Sequence, residues 1–158
     1  MKGKGPYFIF ILLVLTADQL TKLWITRTVP LSVSKKIIPG FFNLTHIHNR
    51  GAIFGFLGQS RNSVVFYFLM AASLVALFLV IYYFFKTPPA EKLMILSLSL
   101  ILAGALGNLI DRVFRTYVID FLDFYVNNWH WPSFNIADAS VSIGAVGLIL
   151  LFIFKKKA

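Results

Sequence analysis

Residues Val64 to Phe85 read VVFYFLMAASLVALFLVIYYFF, twenty-two residues without a single charge. About 20 apolar helical residues cross a hydrocarbon core ~30 Å thick. A helix satisfies its own backbone hydrogen bonds in lipid, so this stretch reads as a transmembrane helix. Three similar runs surround it: residues 7–24, broken late by Asp18 and Lys22; residues 93–110; and residues 136–154, with Asp138 near the start. The whole chain agrees with this reading. Its 158 residues are 58% hydrophobic and 13% charged, with a mean hydropathy of +0.79, whereas soluble domains are about 25% charged. The expectation is one integral membrane domain, residues 1–158. Cysteine is absent, which excludes disulfides, thiol nucleophiles and cysteine-bound zinc or iron–sulfur centres. The net charge of +9 points to anionic lipid headgroups and not to nucleic acid.

Lys2 and Lys4 ahead of an apolar run resemble a secretory signal. No small-residue cleavage site follows, and Asp18 and Lys22 continue the helix, so the run reads as a retained first span. Four spans put both termini on one side. That side carries Lys2, Lys4, Lys86, Lys92 and Lys155 to Lys157 in compact segments. The opposite side carries Lys22, Arg27, Lys35, Lys36, Arg50, Arg61, Arg112 and Arg115, spread over longer loops. The compact basic segments favour cytoplasmic termini. Trp24, Trp129 and Trp131 all fall on the far side, as an interfacial belt would.

Two outer segments join the spans there. Residues 27–62 contain IIPGFFNLTHIHNRGAIFGF, and residues 113–135 contain VIDFLDFYVNNWHWPSF. Both mix β-forming residues with turn signals. Too polar to span and too apolar to float, they fit a small β-rich extracytoplasmic segment lying on the membrane. The fold class is therefore an all-α membrane protein with four transmembrane helices and that small β addition.

Five of the six acids, Asp18, Asp111, Asp120, Asp123 and Asp138, gather at the far ends of the spans. A charge at the centre of a span costs about 2.5–3.5 kcal/mol on insertion scales, so such groups pair or face a wet cavity. Asp18 and Lys22 stand four apart in the favourable order for a helical ion pair. Asp111 and Arg112 are adjacent and do not face each other, so either would pair across helices. Asp120 and Asp138 have no basic residue three or four positions away. Two carboxyls in one partly dry site share a proton, which leaves one as base and one as acid. The simpler alternative is a helix N-terminal charge at Asp138 and a solvated loop acid at Asp120. His46 and His48 form an H-x-H pair and His130 is a third histidine, with no carboxylate spaced to complete a metal site; they read as loop histidines at headgroup level.

The order of five motifs resembles the lipoprotein signal peptidase, or signal peptidase II, family. They are DQLTK (Asp18 to Lys22), HNRGAIFG (His48 to Gly55), AGALGNLIDRV (Ala103 to Val113), VIDFLDF (Val118 to Phe124) and FNIADASVSIG (Phe134 to Gly144). The resemblance implies an intramembrane-type aspartic endopeptidase, with Asp120 and Asp138 as its catalytic pair. It implies as substrate a bacterial prolipoprotein, cut on the amino side of a cysteine that carries diacylglycerol. Asn49, Asn108, Arg112 and Asn135 match polar positions that line or support the family's site. Asp18 and Lys22 match its DQ-x-TK motif as scaffold or site support; Asp111 and Asp123 match with roles left open. Gly104 and Gly107 suit close helix packing. Gly51 falls in the Asn-Arg-Gly turn, and Phe54 with its apolar neighbours is placed to meet the lipid. The departures are small: Ile53-Phe54-Gly55 after HNRGA, and Ala139-Ser140 after Asp138. No metal or other cofactor is implied, and a monomer in the bacterial inner membrane is expected.

Two other readings compete. Membrane aspartic proteases of the presenilin and prepilin-peptidase kind carry Gly-x-Gly-Asp, and here Asp120 follows Val118-Ile119. A proton-coupled transporter using Asp18, Asp111 and Asp138 as relays would favour inverted repeats and helices broken at the midplane; the sequence has neither.

Overall fold

The computed structural model describes residues 3–51 and 63–155. Its elements run α1 (Gly5–Thr28), β1 (Ser34–Ile38), β2 (Phe42–Asn49), α2 (Ser63–Lys86), α3 (Lys92–Arg115), β3 (Val118–Val126), β4 (Trp129–His130) and α4 (Ile136–Lys155). All four helices are long and apolar enough to cross a membrane. Helix α3 is the hub and packs against α1, α2 and α4. Its buried face carries Ile95, Leu98, Leu102 and Ala103, which meet Ile11 of α1 and Leu77 and Phe84 of α2. Contact with α4 is the closest. A side chain at Gly104 would run into the Ala137 carbonyl, and one at Gly107 would lie 2.6 Å from an Asp18 oxygen. Those two glycines let three backbones converge where the acids are.

Helices α1 and α3 run past the ends that hydropathy suggests. Asp111, Arg112 and Arg115 lie within α3, and Ile25 to Thr28 within α1. The physical reason is internal neutralisation: charges that look solvent-bound in the sequence are paired inside the bundle. Helix α3 then stops at Thr116, whose φ of 65° turns the chain sharply into β3.

The segments that join α1 to α2 and α3 to α4 carry one antiparallel sheet in the order β1-β2-β3-β4. Strands β2 and β3 come from segments on opposite sides of two helices. Their register sets Ile47 beside Asp120 and Asn49 beside Val118. A tight turn with Asn127 at φ 54° joins β3 to β4; asparagine tolerates that left-handed conformation better than most residues. Ile119 and Phe121 seat the sheet on Ile25 and Val29 at the end of α1. Trp24, Trp129 and Trp131 are all exposed.

At the opposite end, Lys4 is buried. Its ammonium donates to the Phe84 carbonyl and, at 2.9 Å, to the Phe85 carbonyl in the last turn of α2. A cation there also meets the negative end of the helix dipole. The charge therefore joins α1 to α2 and does not sit among headgroups.

Candidate active site

Four elements bring polar side chains to one end of the bundle. Asp18 and Lys22 come from α1, Asn108, Asp111 and Arg112 from α3, Asp120 from β3, and Asn135 and Asp138 from the start of α4. Asp18, Lys22 and Asp111 have no exposed surface. The Lys22 ammonium lies 2.8 Å from Asp18 and 2.8 Å from Asp111, and donates to the Asn108 carbonyl oxygen at 3.0 Å. Arg115 pairs with the other Asp111 oxygen. Two carboxylates thus meet two cations, the condition under which buried charge is tolerable. Gln19 braces the set, donating to Asp18 at 3.1 Å and to the Gly107 carbonyl at 3.1 Å. The other Asp18 oxygen accepts the Ala137 backbone N–H at 2.9 Å. Asp18 therefore holds the first turn of α4 in place.

That turn carries Asp138. Its carboxylate accepts from the Asn108 amide at 2.8 Å and from the Asn135 backbone at 3.3 Å. The Asn135 side-chain oxygen in turn accepts the Asp138 N–H at 2.9 Å, capping the helix. The Asn135 amide nitrogen reaches Asp120 at 2.7 Å and the Asn108 oxygen at 3.3 Å. Asn135 is thus the common partner of both carboxyls. Asn49 supplies the second donor to Asp120 at 2.8 Å, and its own oxygen accepts the Gly51 N–H at 2.9 Å. Arg112 donates to the Gly51 carbonyl at 3.4 Å. A paired bridge between Leu122 and Phe134 ties β3 to the approach of α4. The spacing of the two carboxyls is therefore set by main-chain bonds as well as side chains.

Asp120 is 2% exposed and Asp138 6% exposed. Burial, and then the Asp138 charge, push Asp120 up to about 7, against the opposing pull of the Asn49 and Asn135 donors. A protonated and an ionised carboxyl in one site provide an acid and a base with no further group. Beside Asp138 a hollow of about 240 Å³ is walled by Trp131, Phe134, Ala139, Ser142 and Ile143.

The site residues expected from the sequence divide clearly. Asp120, Asp138, Asn49, Asn108, Asn135, Asp18 and Lys22 form one connected network, and Arg112 and Gly51 adjoin it. Phe54 lies outside the described residues. Asp123 belongs elsewhere: it accepts from Asn43 at 2.8 Å and from His130 at 2.8 Å. His48 stacks on Tyr117, and burial, His46 and Arg50 all hold its imidazole below the usual range. Gln19 lies within the DQLTK motif, where the sequence assigns it no role of its own, and Arg115 and Asn43 stand outside the residues that the sequence singles out for the site. Arg115 had a readable signal, since it stands four residues after Asp111 on one helix.

The chain is similar to known proteins over nearly its whole length. Residues 10–154 match the family model described as signal peptidase II. A lipoprotein signal peptidase of Francisella tularensis subsp. novicida is 44% identical over 99% of this chain and 97% of its own length. One from Syntrophus aciditrophicus is 42% identical over 98% of each chain. Among solved structures, a bacterial membrane enzyme determined by the in meso method at 2.3 Å superposes with a TM-score of 0.85. It is 34% identical and covers 96% of this chain and 90% of its own.

Proposed function

This chain belongs to the signal peptidase II family, and from that premise we propose that it is an aspartic-type endopeptidase that removes the signal peptides of bacterial prolipoproteins. The observation that carries the chemistry is the pair Asp120 and Asp138, both buried and both bonded to Asn135. The substrate is the diacylglyceryl-modified precursor, cut on the amino side of its lipidated cysteine. In the resting pair the shared proton sits on Asp120 and the charge on Asp138, at the N-terminus of α4. Asp138 takes a proton from water as the oxygen attacks the scissile carbonyl, and Asp120 gives its proton to the carbonyl oxygen. The tetrahedral adduct collapses when the leaving nitrogen takes the proton from Asp138 and the adduct's hydroxyl proton returns to Asp120. The C–N bond breaks, acid and amine leave, and the pair is restored. Asn108 and Asn135 hold Asp138 in place throughout, and Lys22 fixes Asn108.

The deciding experiment is cleavage by purified protein in detergent. A diacylated precursor is expected to be cut with EDTA and 1,10-phenanthroline present, and its unlipidated form far more slowly. Each buried CH₂ of an acyl chain contributes about 0.8 kcal/mol, so two chains fix the depth of the residue after the scissile bond. Equal rates on both precursors would make this a general membrane protease. Loss with chelator, restored by zinc, would move the chemistry to His46 and His48.

The membrane orientation that suits this activity places both termini in the cytoplasm and the carboxyl pair near the outer face. A reporter at Lys157, or between Thr87 and Lys92, is expected to read as cytoplasmic, and one inserted near Ser60 as external. The opposite pattern would put the pair on the inner face and end this assignment of orientation.

A further inference from the structure

His46 is 5% exposed, and among the described residues its Nε2 is a buried polar atom with no hydrogen-bond partner. Its other ring nitrogen, Nδ1, lies 2.8 Å from the Val29 carbonyl oxygen, just past the end of α1. A carbonyl only accepts, so Nδ1 carries the proton, and in the neutral ring Nε2 presents a bare lone pair. Proteins orient metal-binding imidazoles in this way, with one N–H on a carbonyl and the other nitrogen free to ligate. A second imidazole stands beside it. His48, two residues along β2, has its ring centre 5.0 Å from that of His46, with the planes at 69°. Two imidazoles on one tetrahedral zinc, at Zn–N distances of ~2.0–2.1 Å, have their centres about 5 Å apart. Stacking on Tyr117 at 3.7 Å steadies the His48 ring. No group of three or more His, Cys, Asp or Glu side chains gathers around an ion among the described residues, so water completes the coordination.

We propose that His46 and His48 bind one divalent transition ion of the zinc class, as a clasp on the sheet. A bare lone pair selects a cation over an anion, which needs a donor. The ion would join the end of α1, through His46 and Val29, to the strand that continues into Asn49. Asn49 in turn donates to Asp120, so the clasp stiffens the support of a site carboxyl without touching it. The inference does not rest on the peptidase reading. In that reading the reaction uses Asp120 and Asp138 and no ion, so a chelator strips the clasp and leaves cleavage running.

The test titrates zinc alone into full-length, untagged protein in detergent, by calorimetry, after EDTA treatment and its removal. One ion per chain is expected. His46→Asn keeps a donor for the Val29 carbonyl and His48→Phe keeps the stack on Tyr117, and each is expected to weaken binding about tenfold or more. His130→Asn, away on β4, is expected to change nothing. Arg50 lies close enough for its charge to act on His48, so Arg50→Gln is expected to tighten binding. Zinc should also raise the thermal midpoint of the wild type and not that of His46→Asn. X-ray absorption of the wild-type zinc complex needs no variant and is expected to count two imidazoles. No binding, binding lost only with His130, an effect of one histidine without the other, or a count of one imidazole would overturn the proposal; the last two would leave His46 Nε2 to a single buried water.

Discussion

Asp120→Asn and Asp138→Asn are each expected to lower kcat on a diacylated precursor by at least about 10²–10⁴-fold, the range supplied by positioned acid–base groups. An amide neither takes a proton from water nor gives one to a carbonyl oxygen. The helices should still form, because asparagine keeps most of the volume and part of the hydrogen bonding. Asp123→Asn, in its separate cluster with Asn43 and His130, is the control and should stay active. Full activity in either member of the pair would end the aspartic mechanism. The pH profile gives a second reading. Asp120 sits at about 7 in the folded protein against an ordinary 3.8, so kcat should fall above about 7 as the pair loses its shared proton. The sign for stability follows from the same shift. The folded state binds that proton more tightly than the unfolded chain, so its contribution is full at low pH and is lost as pH rises toward 7. Asp120→Asn has no such loss. Its thermal midpoint relative to wild type should therefore climb with pH across that window, and a flat difference would count against the shift.

Lys22→Met should be severely destabilising. The lysine is the cation between Asp18 and Asp111, and removing one partner of a buried ion set typically costs about 3–5 kcal/mol. Arg115 still serves Asp111, so the unmet charge falls mainly on Asp18. Asp18 in turn holds the Ala137 N–H, so the damage reaches the first turn of α4. Thermal unfolding in detergent and resistance to added protease measure the loss. An unchanged midpoint would show that the buried charges do not hold α1 to α3 and α4.

Much of this architecture is legible in the sequence, for simple reasons. Runs such as residues 64–85 have one good solution in lipid, and the alternation in VIDFLDF marks a strand. The helix ends were less legible because Asp111 and Arg115 look like a solvated boundary until Lys22 is placed beside them. Pairing of β2 with β3 spans two intervening helices, and local pattern carries no trace of it. Asp120 and Asp138 stood out by lacking local cations, but spacing alone left them open to a simpler reading. The central place of Asn135 follows from bonds to β3, α3 and its own helix at once, which appear only once those elements have met.

Asp138 lies on the last helix of the chain, and this has a consequence for the protein's own biosynthesis. A nascent chain that has inserted its first three spans already carries Lys22, Asn108 and, soon after, Asp120. It still lacks the second carboxyl, and it lacks Asn135 to align the first. Only when α4 enters and its opening turn seats on Asp18 does a pair exist. On the aspartic reading proposed above, a chain that has not yet inserted α4 is therefore inert, and activity arises only at the final step of its own insertion.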